Sequence, residues 1–340
     1  MQSRKLGRTG LKVSAFCLGT MTFGHQTEEA EARAIMDRAF AAGVDFFDTA
    51  DAYPVPPAPD TVGRTEEIVG RWLKGKREQV VLATKCRFPM GARAWQGGLS
   101  RRHILAACDD SLRRLQTDWI DLYQAHAPDP DTPLDETLRA MDDLVCSGKV
   151  RYLGCSNYPA WQLALALGLS EQNRLARWDC VQPRFNLLTR DIELELLPLC
   201  RDQGVGVIVY NPLAGGLLTG KYRPEQPPPP GTRFALGGQT GPLYRERYWH
   251  DASLDAVNRL VEYCRERKLS PAQLAIAWVL AQPGVTAAIV GASRAAQLDS
   301  TLPAAELTFY PDDLAFCEQL WYQLPRRPAQ AGQPDPNRKN

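Results

Sequence analysis

VDFFDTADAY (44–53) begins as an apolar, strand-forming run and ends with two groups that can hold a proton, Asp48 and Tyr53. The same design recurs downstream. VVLATK (80–85) ends in Lys85, and WIDLYQAH (119–126) ends in His126. Parallel α/β barrels build their active sites at the C-terminal ends of their strands. If these runs are strands of one barrel, the four polar tips meet at one mouth. Five further β-rich runs extend the series: AFCLG (15–19), VRYLGC (150–155), WDCVQ (178–182), GVIVY (206–210) and TAAIV (286–290).

Between these runs apolar residues recur at helical spacing, as in 28–43, 101–116 and 133–148. Gly43 and Gly148 suit helix stops, and Pro133 and Pro271 suit first turns. Most expected strand ends lie 27–41 residues apart, close to the roughly 30 or more that one strand–helix unit needs. The interval from 210 to 290 is longer. It holds an insertion (213–250) and two helices, 252–268 and 271–282. Eight strands alternating with helices fit a closed (β/α)8 TIM barrel, with a doubly wound sheet as the competing architecture. RKLGRTGLKVSA (4–15) reads as an N-terminal hairpin plugging the barrel floor, with its turn at Thr9-Gly10. We expect one domain over 1–324, ending in the helix 311–324, and a polar tail over 325–340.

Composition narrows the function. The 340 residues are 44% hydrophobic and 23% charged, with formal net charge +1, so no global field attracts nucleic acid. No run of about 18 apolar residues exists to span a membrane. The first residues lack the apolar core of a secretory signal. Nine scattered cysteines without a CxxC pair read as buried thiols of a cytoplasmic protein. The four histidines lack metal-ligand spacing, and no metal is expected.

The four tips form a self-consistent proton site. A phenol has a pKa of about 10, so Tyr53 needs a neighbour that stabilises its anion. The Lys85 ammonium can do so, and Asp48 can keep that ammonium charged despite burial. His126 can orient a substrate oxygen. Each residue alone also has a plain structural reading: a turn aspartate, a solvated strand-end lysine, a core histidine. Their joint placement favours chemistry. Lys85 also permits a rival chemistry, a Schiff base.

FDTADAY, LATK (82–85) and QAHAPD (124–129) together resemble the motifs of the aldo-keto reductase family, and the likeness runs from GTMTFG (19–24) to VGASRAAQLDS (290–300). The resemblance implies a catalytic tetrad of Asp48, Tyr53, Lys85 and His126. It implies a nicotinamide-dependent interconversion of carbonyl and alcohol, with Tyr53 as the acid or base. It also implies a cofactor cradle. Gly19, Thr20 and Met21 would lie along the nicotinamide, beside Asp48. Ser156, Asn157 and Gln182 would bind the carboxamide, and Tyr210 would stack on the ring. Leu213, Ala214, Leu218, Lys221 and Arg233 would cover the pyrophosphate. Gly291, Ser293, Arg294 and Gln297 would hold the adenosine end. Arg294 and Ser293 suit a 2′-phosphate, and no carboxylate sits within 291–297, so NADP(H) is expected. Family members commonly carry Glu-Asn where this chain has Ser300 and Thr301, which alters the adenine contacts.

The expected partner is a small carbonyl or alcohol, bound by loops that include Phe88, Trp95, Tyr158 and several arginines. Nucleic acid and membrane are not expected partners, and the oligomeric state is not legible. The family also includes potassium-channel β subunits, so an NADPH-binding regulatory role is the alternative.

Overall fold

The computed structural model describes residues 1–223 and 226–325. Two short strands, β1 (Ser3–Lys5) and β2 (Lys12–Ser14), pair antiparallel as the expected hairpin. Eight strands then close a parallel barrel: β3 (Phe16–Gly19), β4 (Phe46–Asp48), β5 (Val81–Cys86), β6 (Ile120–Ala125), β7 (Val150–Ser156), β8 (Trp178–Gln182), β9 (Gly206–Val209) and β10 (Val285–Gly291). Each pairs with the next in sequence, and β10 pairs back with β3. This is the (β/α)8 TIM barrel, and the doubly wound sheet is ruled out.

Side chains alternate across a strand with a period of two. One phase faces inward. Cys17, Phe46, Ala83, Leu122, Cys180, Ile208 and Ala287 fill the barrel interior, and Leu6 and Val13 of the hairpin join them from below. Backbone contact seals this floor, since Arg8 N donates to Gly204 O at 2.7 Å. The other phase packs on the helices. Leu18, Phe47, Leu82, Tyr123 and Val181 belong to that outer core. Helix Glu29–Ala41 answers with Ala32, Ile35, Met36 and Ala39, one buried stripe at helical spacing. Burying each large aliphatic side chain contributes about 1.5–3 kcal/mol.

The insertion after β9 is held by rings. Phe234 is fully buried and meets Tyr222, Trp249 and Tyr244 edge-on, with centroids 5.2, 5.0 and 6.2 Å away. Such pairs add about 0.5–1.5 kcal/mol beyond burial. Tyr244 and Tyr248 lie on a helix, Thr240–Tyr248, that the sequence reading did not anticipate. The two expected helices beyond it run Asp251–Arg267 and Pro271–Ala281, and the last helix is Pro311–Tyr322. Apart from Pro325, the expected tail lies outside the described residues.

One strand residue carries a stability prediction. Asp179 sits on β8 between Trp178 and Cys180, as the extra residue where the pairing with β7 shifts register. Burial lifts its carboxyl to about 6 from an ordinary 3.8, against the pull of Arg177 and Arg8. The folded chain thus holds this proton more tightly than the unfolded chain. Stability falls as pH rises from about 4 to 6 and stays lower above that. The ionised form costs at most on the order of 3 kcal/mol. Asp179→Asn cannot ionise. It is expected to raise the thermal midpoint at pH 7.5 by roughly 2–6 °C and to leave it unchanged near pH 4. Calorimetry at the two pH values checks this, and an equal shift at both would refute it.

Candidate active site

The inner phase that carries Phe46, Ala83 and Leu122 continues upward to Asp48, Lys85 and Gln124. The apolar layer is thus capped by a polar one, and the strand period alone puts these groups on the same wall. His126 follows β6 directly, its N–H donating to Cys86 O at 3.0 Å. Tyr53 reaches the same point from the loop after β4. All four sequence-expected tips therefore gather at the C-terminal mouth.

Lys85 is fully buried, and three acceptors surround its ammonium. Nζ donates to Asp48 Oδ2 at 2.5 Å, to Thr49 O at 2.8 Å and to Tyr53 OH at 3.4 Å. Burial opposes its charge, but Asp48 and Tyr53 outweigh that and raise its pKa. A charged amine with every proton committed has no lone pair for a carbonyl carbon, which argues against the Schiff-base reading. Tyr53 departs from expectation. Burial raises its pKa and outweighs the opposing pull of Lys85, so the phenol keeps its proton at neutral pH. His126 is held well below its ordinary value by burial and by the charges of Lys85 and Arg87. It is a neutral imidazole whose Nδ1 has no partner among the described residues. Its ring meets those of Tyr53 and Phe88 edge-on at 5.8 and 4.8 Å. The arrangement can give up one phenolic proton beside a fixed positive charge. It can also hydrogen-bond a substrate oxygen without a second acid competing.

The other expected residues ring this centre. Gly19 and Gly291 are register partners at the ends of β3 and β10. A Cβ on Gly19 would come within 2.7 Å of Ile289 Cγ2, so this rim stays bare backbone. Thr20 donates to Asp48 O through N and Oγ1 at 3.1 and 2.9 Å. Met21 accepts from Val55 N through its carbonyl. Ser156 Oγ donates to Gln182 O at 2.8 Å. Asn157 Nδ2 donates to His126 O at 3.0 Å, and its Oδ1 accepts from Tyr210 OH at 2.7 Å.

Leu213, Ala214 and Leu218 belong to a turn in which Ala214, Gly215 and Gly216 all have positive φ, at 50°, 70° and 96°. Successive residues of that kind can aim backbone N–H groups at an anion. The cations meet there too. Partial burial and the charges of Arg294 and Arg233 together lower the pKa of Lys221. Among the described residues none of the three forms an ion pair. A cluster of like charges that depresses its own lysine is a fit for phosphate. Ser293 N and Oγ contact Gln297 Oε1 at 2.8 and 3.3 Å, just before the short helix Ala296–Thr301. Ser300 and Thr301 turn their hydroxyls onto Gln297 O.

Several residues escaped the sequence reading. Gln124 donates to Asp48 Oδ1 at 3.2 Å, and its shared phase with Leu122 and His126 was the available signal. Glu31 accepts from Ala295 N at 2.6 Å, bringing a carboxylate near a segment that has none of its own. Asp51 is fully buried, and neither of its oxygens has a partner among the described residues. Burial and the nearby Glu66 charge push its carboxyl well above the ordinary range, toward the protonated form. Tyr158, expected on the substrate wall, packs edge-on against Trp178, with ring centroids 4.9 Å apart, and lines a cavity with Pro128 and Asp129.

Comparison with known proteins agrees with this geometry. The model of the aldo/keto reductase family matches residues 15–322. An uncharacterized oxidoreductase, YrpG, of Bacillus subtilis is 40% identical over 329 residues, 94% of this chain and 96% of that protein. A probable voltage-gated potassium channel subunit beta of Arabidopsis thaliana is 36% identical, covering 96% of this chain and 99% of its own length. An L-glyceraldehyde 3-phosphate reductase of Escherichia coli O157:H7 is 35% identical, covering 94% of this chain and 92% of its own. Closed barrel, buried Lys85–Asp48 pair and whole-length similarity lead to one assignment: the chain belongs to the aldo/keto reductase family.

Proposed function

We propose that the chain is an NADP(H)-dependent reductase of an aldehyde or ketone, working also in reverse as an alcohol dehydrogenase, with Tyr53 as the general acid or base. The observation that carries this is the neutral Tyr53 phenol beside the buried Lys85 ammonium. When bound, the nicotinamide would supply hydride to the carbonyl carbon. Tyr53 gives its proton to the carbonyl oxygen. Lys85 stabilises the phenolate left behind, and Asp48 keeps Lys85 protonated at its low-dielectric site. His126, neutral, hydrogen-bonds the same oxygen.

Ser156, Asn157, Gln182 and Tyr210 are the proposed carboxamide and ring contacts, with Gly19, Thr20 and Met21 along the edge. The positive-φ turn with Lys221 and Arg233 is the proposed pyrophosphate site. Arg294, with Ser293, is the proposed 2′-phosphate contact, and the lack of an ion pair for Arg294 among the described residues supports it. Glu31, on Ala295 N, is a carboxylate nearby that would favour a free ribose hydroxyl.

The substrate question starts from Arg87. Its Nε is buried without a partner among the described residues, and its charge reaches His126. The relative named L-glyceraldehyde 3-phosphate reductase makes glyceraldehyde with and without phosphate the first pair to compare. The test is a carbonyl and alcohol panel with NADPH and NADH, run on wild type and Arg294→Ala. Turnover with NADPH is expected. Arg294→Ala should weaken NADPH by about 10–100-fold, the loss of one charge-assisted phosphate contact, and leave NADH nearly unchanged. Equal loss for both cofactors would refute the phosphate role. The relative named as a channel subunit supports a second reading, a cofactor-binding regulatory subunit. Tight NADPH binding without turnover on any carbonyl would favour it.

A further inference from the structure

Asp48 uses one carboxylate oxygen for Lys85. The other, Oδ1, is shared by two side-chain amides: Gln182 Nε2 at 2.9 Å and Gln124 Nε2 at 3.2 Å. The triangle closes, because Gln182 Nε2 also donates to Gln124 Oε1 at 3.2 Å. Gln124 is fully buried, and Asp48 and Gln182 are each 3% exposed. Lys85 and Gln124 are register partners on adjacent strands.

The chemistry of the triangle fixes every amide orientation in it. An ionised carboxylate only accepts. Gln124 must therefore turn its nitrogen to Asp48, which leaves its oxygen facing Gln182. That oxygen and Asp48 Oδ1 are two acceptors, and both demand the nitrogen of Gln182. Reversing Gln182 would set its carbonyl against a carboxylate and a second carbonyl, all in low dielectric. Both N–H bonds of Gln182 are thus committed to the barrel interior. The end left for a ligand is its carbonyl oxygen, an acceptor.

We propose that Gln124 is a positioning residue for the cofactor site: it locks the amide of Gln182 so that the site presents an acceptor, and thereby selects a nicotinamide carboxamide through its NH2 group. The same contact makes Gln124 a bridge, because the amide it locks also rests on Asp48 of the proton site. This inference rests on the proposed role of Gln182 at the carboxamide. The bland alternative is that Gln124 only satisfies buried groups of the barrel. A structural role of that kind would affect all cofactors alike, whereas a locked acceptor distinguishes ligands that have the NH2 from those that lack it.

The experiment measures binding alone, by quenching of tryptophan fluorescence. The probes are NADPH and the reduced 3-acetylpyridine analogue, which replaces the carboxamide NH2 with methyl. Wild type is expected to bind NADPH about tenfold tighter than the analogue, the worth of one buried hydrogen bond. Gln124→Met, closest in shape, should lose that preference by weakening NADPH while barely changing the analogue. Equal weakening of both ligands would show a structural role only and overturn the proposal. Should Gln124→Met not fold, wild type still decides, since equal affinity for the two ligands would by itself overturn the locked acceptor. Failure of wild type to bind NADPH at all would instead remove the functional reading beneath it.

Discussion

Tyr53→Phe is expected to lower kcat for carbonyl reduction by about 10²–10⁴-fold, the usual worth of a positioned acid, with NADPH affinity unchanged. The substitution removes one oxygen. Phenylalanine keeps the ring that meets His126 edge-on at 5.8 Å, so the wall of the site stays in place. Lys85 loses its longest contact, 3.4 Å, and keeps Asp48 and Thr49. The proton donor is gone, and neutral His126 is a poor substitute because burial and two nearby cations hold it well below its ordinary pKa. Steady-state rates and a fluorescence titration with NADPH read the two quantities separately. Retained turnover would remove Tyr53 as the acid. Lost affinity would mean that the hydroxyl supports the cofactor site as well.

Lys85→Met should cost more than activity. It removes the positive partner of a carboxylate that is 3% exposed and leaves only two amides to balance the charge. Breaking a buried ion pair from one side costs about 3–5 kcal/mol, and urea unfolding should show a loss of that order. Adding Asp48→Asn removes the stranded charge. The double variant is expected to regain much of the stability and none of the activity. A double variant no more stable than Lys85→Met would show that the loss came from packing, not charge. The pH dependence has a definite sign. The folded pKa of Lys85 is raised above 10.5, so its contribution is complete below that value. It drains away as pH climbs through the folded value. Lys85→Met should lack that alkaline loss.

Much of this was legible because local pattern and tertiary role coincide. The run read as 80–85 is the strand Val81–Cys86, and 286–290 is Val285–Gly291. Two-residue alternation places Asp48 and Lys85 above Phe46 and Ala83 with no further information. Where folding depends on distant contacts, the reading stopped. Helix Thr240–Tyr248 has Pro242 in its first turn and no apolar stripe. Its Tyr244 packs on the ring of Phe234, which Tyr222 and Trp249, distant along the insertion, hold in place. Glu31 and Ala295 meet across 264 residues, which no local pattern encodes. The upward shift of Tyr53 was missed for a related reason. Lys85 could be read as a charge, whereas the opposing burial exists only once the barrel closes. Gln124 shares the inward phase of Leu122, but an amide does not titrate, and nothing local to the sequence sets it apart from a surface glutamine.

The order of these groups along the chain divides the barrel into two halves. Everything that holds or tunes the proton lies between Asp48 and His126, on β4, β5, β6 and their loops. The clustered cations Lys221, Arg233 and Arg294 all follow β9. The two sets meet at two seams: on one side Gln182 reaches Asp48 and Asn157 reaches the His126 carbonyl, and on the other Thr20 donates to Asp48 O while Arg233 reaches Met21 Sδ. Substitutions in one half therefore have few routes into the other. Under the proposed function, preference for one dinucleotide over another can drift or be redesigned in the second half while the acid in the first stays tuned. A change that couples the two should have to pass through one of these seams.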